Sequence, residues 1–292
     1  MTETIGVLIA ILSSTFGGTS GAVTRYVVGT IDPVTIAAFR FGIGILVLAP
    51  LALATRSAFP RGRDWLGTLG LGIMFFGVFF VFYNLALAYT TAARGALALS
   101  TLPLWTMVAA ALLGAEPLNL RKTLGVFIAV GGVAVALTAG LAVAPAGAWR
   151  GDLIMLGATL CMALYNVWSR PFIARSSPLG FVTASMGAGA ILLVAVAAAR
   201  GGFAVTQSFS TAQWIAMIYL GVFGGAAAFF LWVLALRLTT PTRVANTMTV
   251  NPIAASLLAA VLIAEPLGWN LLVGLIAVGV GIWLASTPGT RA

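Results

Sequence analysis

Leu85 to Leu118 reads LALAYTTAARGALALSTLPLWTMVAAALLGAEPL, and Leu234 to Leu267 reads LALRLTTPTRVANTMTVNPIAASLLAAVLIAEPL. Laid over one another at a shift of 149 residues, without a gap, the two stretches are identical at about fifteen of thirty-four positions. Arg94 meets Arg243, Pro103 meets Pro252, and Glu116-Pro117 meets Glu265-Pro266. A period of about half the chain is too long for a solenoid unit, so it points to two related halves, 1–145 and 146–292.

Composition decides the solvent. Of 292 residues, 61% are hydrophobic and 7% charged, against about 25% charged in an ordinary soluble domain. Apolar runs of about 20 residues recur with short polar breaks, each long enough to cross about 30 Å of hydrocarbon as a helix. The chain therefore reads as an all-α integral membrane protein. The expected spans are 5–28, 33–54, 65–88, 93–113, 120–141, 151–173, 178–199, 212–236, 242–263 and 268–286, ten transmembrane helices, five in each half. The N-terminal MTETIGVLIAILSS lacks a basic leader region and is expected to be a retained first span.

The net charge of +9 is no nucleic-acid signal, because the basic residues sit singly at segment ends. Counted by side, with the N-terminus inside, ten lie on the inner face (Arg56, Arg61, Arg63, Arg121, Lys122, Arg170, Arg175, Arg237, Arg243, Arg291) and four on the outer (Arg25, Arg94, Arg150, Arg200). The bias predicts that both termini are cytoplasmic. Five spans is an odd number, so the second half must enter the membrane upside down. The front of each half carries a fainter echo, with Gly6, Arg25 and Pro33 over Gly151, Arg170 and Pro178 at a shift of 145. An inverted 5+5 repeat is the plan of secondary transporters, whose site lies between the halves.

There is no histidine and one cysteine, Cys161, within an apolar segment. Histidine-based catalysis and histidine metal ligation are excluded, and an intrachain disulfide is impossible. No cofactor or metal is expected. No paired carboxylates share a face and no Ser-x-x-Lys or His-Glu-x-x-His pattern occurs, which speaks against a membrane enzyme.

The segments LLGAEPLNLRKTLGVFIAVGGVAVAL (112–137) and LIAEPLGWNLLVGLIAVGVGIWLAS (262–286) share an E-P-L, then G, then G-V order. They resemble the two endings of the EamA repeat, which defines a branch of the drug/metabolite transporter superfamily. The second-span AAFRFGIGILVLAPL, with Arg40, resembles the second helix of that family. The resemblance covers essentially the whole chain and implies a transporter, most similar to bacterial exporters of aromatic and neutral amino acids. It also implies a central cavity between the first, third, fourth, sixth, eighth and ninth spans.

Several side chains are candidates for that cavity. Pro103 and Pro252 fall near the middle of the fourth and ninth spans and leave carbonyls near Leu99 and Met248 short of a donor. They are either packing kinks or hinges of a cavity wall. In the third span Phe76, Phe80, Tyr83 and Asn84 share a face at helical spacing, and under the repeat Phe80 meets Phe229 and Tyr83 meets Trp232. Such a stripe can be core; as a pathway, it would place Tyr83 and Trp232 at opposite ends, closing them alternately. Ser13, Ser14, Ser100, Asn84, Tyr165, Asn166, Asn246 and Asn251 are polar at depth and should face protein or a wet cavity. Tyr165-Asn166 pairs an aromatic face with an amide, which suits a ligand with an apolar body and a polar end.

Arg40 is the one embedded charge. It either snorkels or meets helix C-terminal carbonyls, a structural role, or it receives a substrate carboxylate. Glu116-Pro117 and Glu265-Pro266 read as span boundaries, the glutamate serving the start of the following helix. No acid lies near the middle of a span, so facilitated diffusion is expected rather than proton coupling through a central carboxylate. The expected function is export of neutral or aromatic amino acids and related metabolites by alternating access, from the bacterial inner membrane. The alternative is a drug or other metabolite exporter, which, if proton-coupled, would need that acid. The expected partners are a small-molecule substrate and the lipid bilayer, with a monomer able to enclose the pathway.

Overall fold

The computed structural model of the chain describes residues 2–27, 30–87, 89–90, 92–136, 147–263 and 269–286. The described residues are helical, with no strand among them. The helices are α1 (Thr2–Val27), α2 (Pro33–Ala54), α3 (Asp64–Gly72), α4 (Phe80–Leu87), α5 (Ala92–Ser100), α6 (Leu102–Leu112), α7 (Leu120–Ala136), α8 (Ala148–Arg175), α9 (Pro178–Ala199), α10 (Thr211–Tyr219), α11 (Ala228–Leu238), α12 (Pro241–Asn246), α13 (Val250–Ile263) and α14 (Trp269–Ser286). Six continuous stretches among the described residues are long and apolar enough to cross a membrane: Thr2–Thr24, Pro33–Ala54, Asp64–Tyr83, Ala148–Arg175, Pro178–Ala199 and Thr211–Leu238. Leu97–Leu112 and Leu272–Ala285 are shorter apolar helices.

The helix starts follow from local chemistry. Asp32 caps α2 by accepting from the backbone N–H of Val34 and Thr35, with Pro33 in the first turn. Ser177 caps α9 by accepting from Gly180 N–H, with Pro178 in the same position. Proline costs nothing there, because that N–H would be unpaired in any helix. These two starts are partners at the 145-residue shift.

The interior of the third and eighth apolar stretches is less regular. A π-helical segment, Ile73–Phe79, joins α3 to α4, and a second, Leu220–Ala227, joins α10 to α11. Each widens the turn and rotates the helix C-terminal to it. Of the expected face of Phe76, Phe80, Tyr83 and Asn84, Phe76 and Phe80 are buried together with Phe75 and Phe79, and Tyr83 is half-buried. The side chains of Asn84 and Arg94, and the whole of Glu265-Pro266, lie outside the described residues.

Small residues set the packing. A Cβ at Gly72 would come within 2.1 Å of the Ser185 carbonyl oxygen on α9, and one at Gly189 within 2.3 Å of the Phe76 Cβ. Their partners repeat the contact, since Gly221 lies against Ile43 of α2 and Gly44 against the Gly221 carbonyl. α7 and α14 meet through Gly125 and Gly281, where a Cβ on either would sit 2.6–2.7 Å from the other's carbonyl oxygen. α1 packs on α11 and α13, and α8 packs on α4, α5 and α6, so helices of each half lie chiefly against helices of the other.

Candidate functional site

The breaks in the helices come where proline strips the hydrogen-bond ladder. α5 ends at Ser100 and α6 begins at Leu102, one residue before Pro103; α12 gives way to a 3-10 turn, Thr247–Thr249, and α13 starts at Val250, two residues before Pro252. Threonines add local bonds beside each break: the Thr101 hydroxyl donates at 2.6 Å to Ala98 O, which also accepts Thr101 N–H, and the Thr249 hydroxyl donates to Asn246 O at 2.6 Å. Pro103 is buried and Pro252 partly so, and Ser100 is buried at the end of α5.

Aromatic rings from α2, the third stretch, α8 and α11 gather in one column within the main core. Phe80 and Phe229, partners in the repeat, come together with ring centroids 6.3 Å apart, and Phe41 lies 4.6 Å from Phe80 and 5.8 Å from Phe229. The Arg40 guanidinium carbon sits 5.6 to 5.7 Å from the centroids of all three rings. Its Nε and Nη2 both donate to Gly224 O, at 3.0 and 2.7 Å. The expected partner was a helix C-terminal carbonyl; the observed one belongs to the π segment in the middle of the eighth stretch, where the wide turn presents a carbonyl sideways. Embedding an arginine costs about 2.5–3.5 kcal/mol on insertion scales. Each ring returns about 0.5–2 kcal/mol, which holds the group at depth without supplying a negative charge.

Toward the end of the molecule that carries the N-terminus, here the near end, the column closes. Trp232 Nε1 donates to Asn166 Oδ1 at 2.9 Å, and both side chains are buried. The repeat paired Trp232 with Tyr83; the structure pairs it with Asn166. Tyr165 stacks on Phe75 with centroids 4.4 Å apart and has no accessible surface. Its hydroxyl turns toward Ser185 without meeting hydrogen-bond geometry. Tyr165-Asn166 therefore forms part of a sealed core rather than a surface open to a ligand in this conformation, because the ring is packed among Phe75 and Phe76 of the π segment and Phe181 of α9. Asn246 donates to Gly281 O at 3.4 Å and ties α12 to α14. Ser13 donates to Ala228 O at 2.7 Å, and Ser14 shares a 3.0 Å hydrogen bond with Thr247.

A polar clasp finishes the near end. Glu116 is buried, with Oε2 taking Lys122 Nζ and Oε1 accepting Thr242 N–H at 3.0 Å. The sequence led to the first partner, in the first turn of the following helix; the second, at the start of α12 in the other half, is 126 residues away and gave no local signal. Beside it Arg243 Nη1 donates to Glu3 Oε2 at 2.6 Å.

The opposite, far end is looser along the same column. Thr19, Arg40, Tyr83, Phe229 and Asn251 all keep accessible surface. Tyr219 donates to Thr19 Oγ1 at 2.8 Å, and Asn251 lies over Gly17 and Gly18, where a Cβ on Gly18 would come 2.3 Å from the Asn251 carbonyl oxygen. Peripheral ties remain, Thr90 to Asp152 at 2.8 Å and Gln213 to Thr30 at 2.9 Å.

The same architecture recurs among known proteins. The EamA-like transporter family matches the chain twice, over residues 4–138 and 149–287. The uncharacterized transporter YyaM of Bacillus subtilis is 26% identical over 75% of this chain and 73% of its own length. A transporter of Archaeoglobus fulgidus is 22% identical over 95% and 97%. A protein of Streptantibioticus cattleyicolor, described as a probable terminal-alkyne amino-acid exporter, is 27% identical over 67% and 64%. One crystal structure superposes with a TM-score of 0.79 at 20% identity, covering 97% of this chain and 96% of its own, which speaks for the fold alone. The chain is a multi-pass membrane transporter, not an enzyme, and it belongs to the EamA-like transporter family.

Proposed function

We propose that this transporter exports neutral or aromatic amino acids and related small metabolites, by alternating access across the bacterial cytoplasmic membrane. In this reading the chain crosses ten times as a 5+5 inverted repeat, with both termini cytoplasmic, so that the near end faces inward. The observation that carries it is the pairing of irregularities: a π segment in the third and the eighth stretch, and a break beside Pro103 and beside Pro252. Helices that are broken at related places around one aromatic column can bend toward either side. The aromatic lining, Phe80, Phe229 and Tyr83, suits an apolar body, and the exporter from Streptantibioticus cattleyicolor supports the amino-acid class. Each described acid sits near a helix end and is tied there, Glu3 to Arg243, Asp32 to Arg200, Asp64 to Arg175, Glu116 to Lys122 and Asp152 to Thr90. Facilitated diffusion as a monomer is the simplest coupling consistent with that placement.

Flux of radiolabelled phenylalanine, leucine and a panel of other amino acids through reconstituted liposomes, with and without a pH gradient, tests the proposal. The expected result is uptake of neutral and aromatic amino acids that a pH gradient leaves unchanged. Absence of flux for every amino acid would overturn it.

A further inference from the structure

Arginine has five N–H bonds to place. In Arg40 the Nε and Nη2 side is spent on a single oxygen, that of Gly224, while the opposite edge, formed by Nη1 and Nη2, meets no protein acceptor among the described residues. Arg40 as a residue keeps some accessible surface although Phe41, Gly224 and Gly225 around it are buried. No described acid pairs with it, since each is engaged at a helix end.

A purely structural role would be to tie α2 to the π segment across the interface. The repeat tests that reading internally. At the 145-residue shift the partner of Arg40 is Ser185, whose backbone carbonyl lies against Gly72 and whose hydroxyl donates to Val182 O within its own helix. There α9 meets the third stretch through backbone, with no charged side chain in the contact. Arg40 therefore adds a positive charge, on one side only, to a contact that the scaffold makes without one. A glycine at 224 keeps the guanidinium in place, since a Cβ there would lie 2.3 Å from Ser20 Oγ and 3.3 Å from Arg40 Nε.

We propose that Arg40 is the anchor for a carboxylate of the transported solute, received in bidentate fashion on the Nη1–Nη2 edge, with the Phe80 and Phe229 rings flanking the solute's apolar part. Two parallel N–H bonds match the two oxygens of a carboxylate, and a cation would be repelled. That the solute is transported rests on the proposed function; the anchor itself rests on Arg40.

Binding of four radiolabelled probes to the purified protein tests it: phenylalanine, leucine, phenylacetate and phenylalaninamide, with wild type compared against Arg40→Gln and Arg40→Lys. Wild type should bind a carboxylate probe at least about tenfold more tightly than the amide. Arg40→Gln should lose about tenfold or more for the carboxylates and little for the amide, and Arg40→Lys should recover only part, because an ammonium cannot offer two parallel N–H bonds. The acid-against-amide comparison in wild type needs no variant to fold. Equal binding of acid and amide, no binding of any carboxylate probe, or an Arg40→Gln variant that binds acids as wild type does would each overturn the anchor, whatever the flux. Arg40-dependent binding of phenylacetate without flux of any amino acid would leave the anchor standing and remove the amino-acid assignment.

Discussion

Phe229 and Trp232 stand about one turn apart on α11 and have opposite surroundings. Phe229 keeps accessible surface, faces its repeat partner Phe80, and borders the Arg40 guanidinium. Trp232 is 3% exposed and locked to Asn166 by a buried hydrogen bond. Beyond it the near end is closed by groups that bind across the halves, Glu116 to Thr242 and Glu3 to Arg243. In the far half, helices touch backbone to backbone at Gly18 and Gly225 but leave Thr19, Tyr83 and Asn251 partly open. The difference teaches where buried polar bonds tie the molecule together. Apolar contact alone does not discriminate one conformation from another in lipid, because tails are as apolar as leucine. Directional polar bonds between halves do.

Breaking the clasp should have the largest effect. Glu116→Ala removes the acceptor of Thr242 N–H and strands Lys122, which is only 12% exposed. Loss of one member of a buried pair costs about 3–5 kcal/mol, so a clear drop in Tm is expected in detergent. A cysteine placed at Ser14 in a Cys161→Ala background should then react faster with a maleimide. Glu116→Gln, which keeps one acceptor oxygen, should recover part of both.

Trp232→Phe comes next. Asn166 Nδ2 already lacks a partner, and the substitution would orphan Oδ1 as well, at a cost of about 1–3 kcal/mol. Adding Asn166→Leu should restore much of the loss, since replacing both members of a buried pair by apolar groups is nearly neutral. A double variant no more stable than Trp232→Phe would show that the bond is not what closes this level.

Pro103→Ala and Pro252→Ala sharpen the comparison along a different axis. Both helices are already broken beside these prolines, so stability should move by less than about 1 kcal/mol. Turnover in liposomes should fall several-fold in each, and by similar factors, if related breaks bend in turn. A large loss in one and none in the other would mean that only one half moves.

Arg175→Ala should do least. Its pair with Asp64 lies at 2.7 Å but is solvent-facing, with 54% of the arginine side chain exposed, and such pairs are worth little. An unchanged Tm and unchanged flux are expected, which would separate this surface tie from the buried clasp around Glu116.

Much of the architecture was legible beforehand because its causes are local. Pro33 and Pro178 mark helix starts because a proline in the first turn forfeits nothing, and the structure begins α2 and α9 there. Pro103 and Pro252 mark breaks because each removes a ladder bond. The site was legible only in outline. Phe80 and Phe229, equivalent in the repeat, lie against one another, a contact that equivalence alone does not imply, and the π segment Ile73–Phe79 left no sign in the spacing of the third stretch. An α-helical period cannot announce its own interruption. Tyr165-Asn166 looked like a ligand platform by residue type, and packing against Phe75 and Trp232 made it a seal.

The sequence by itself determined the apolar stretches, the repeat, the places where helices start and break, and the single embedded charge, since these depend on hydropathy and on neighbours within a turn. The tertiary structure alone decided which group each polar side chain met. Asn166 lies 66 residues from Trp232, Glu116 126 from Thr242, and Arg40 184 from Gly224. In a membrane interior an amide, carboxylate or guanidinium must find a partner, and several were equally compatible with the sequence; only the close approach of backbones at glycines such as Gly72, Gly189 and Gly225 fixed which one came within reach.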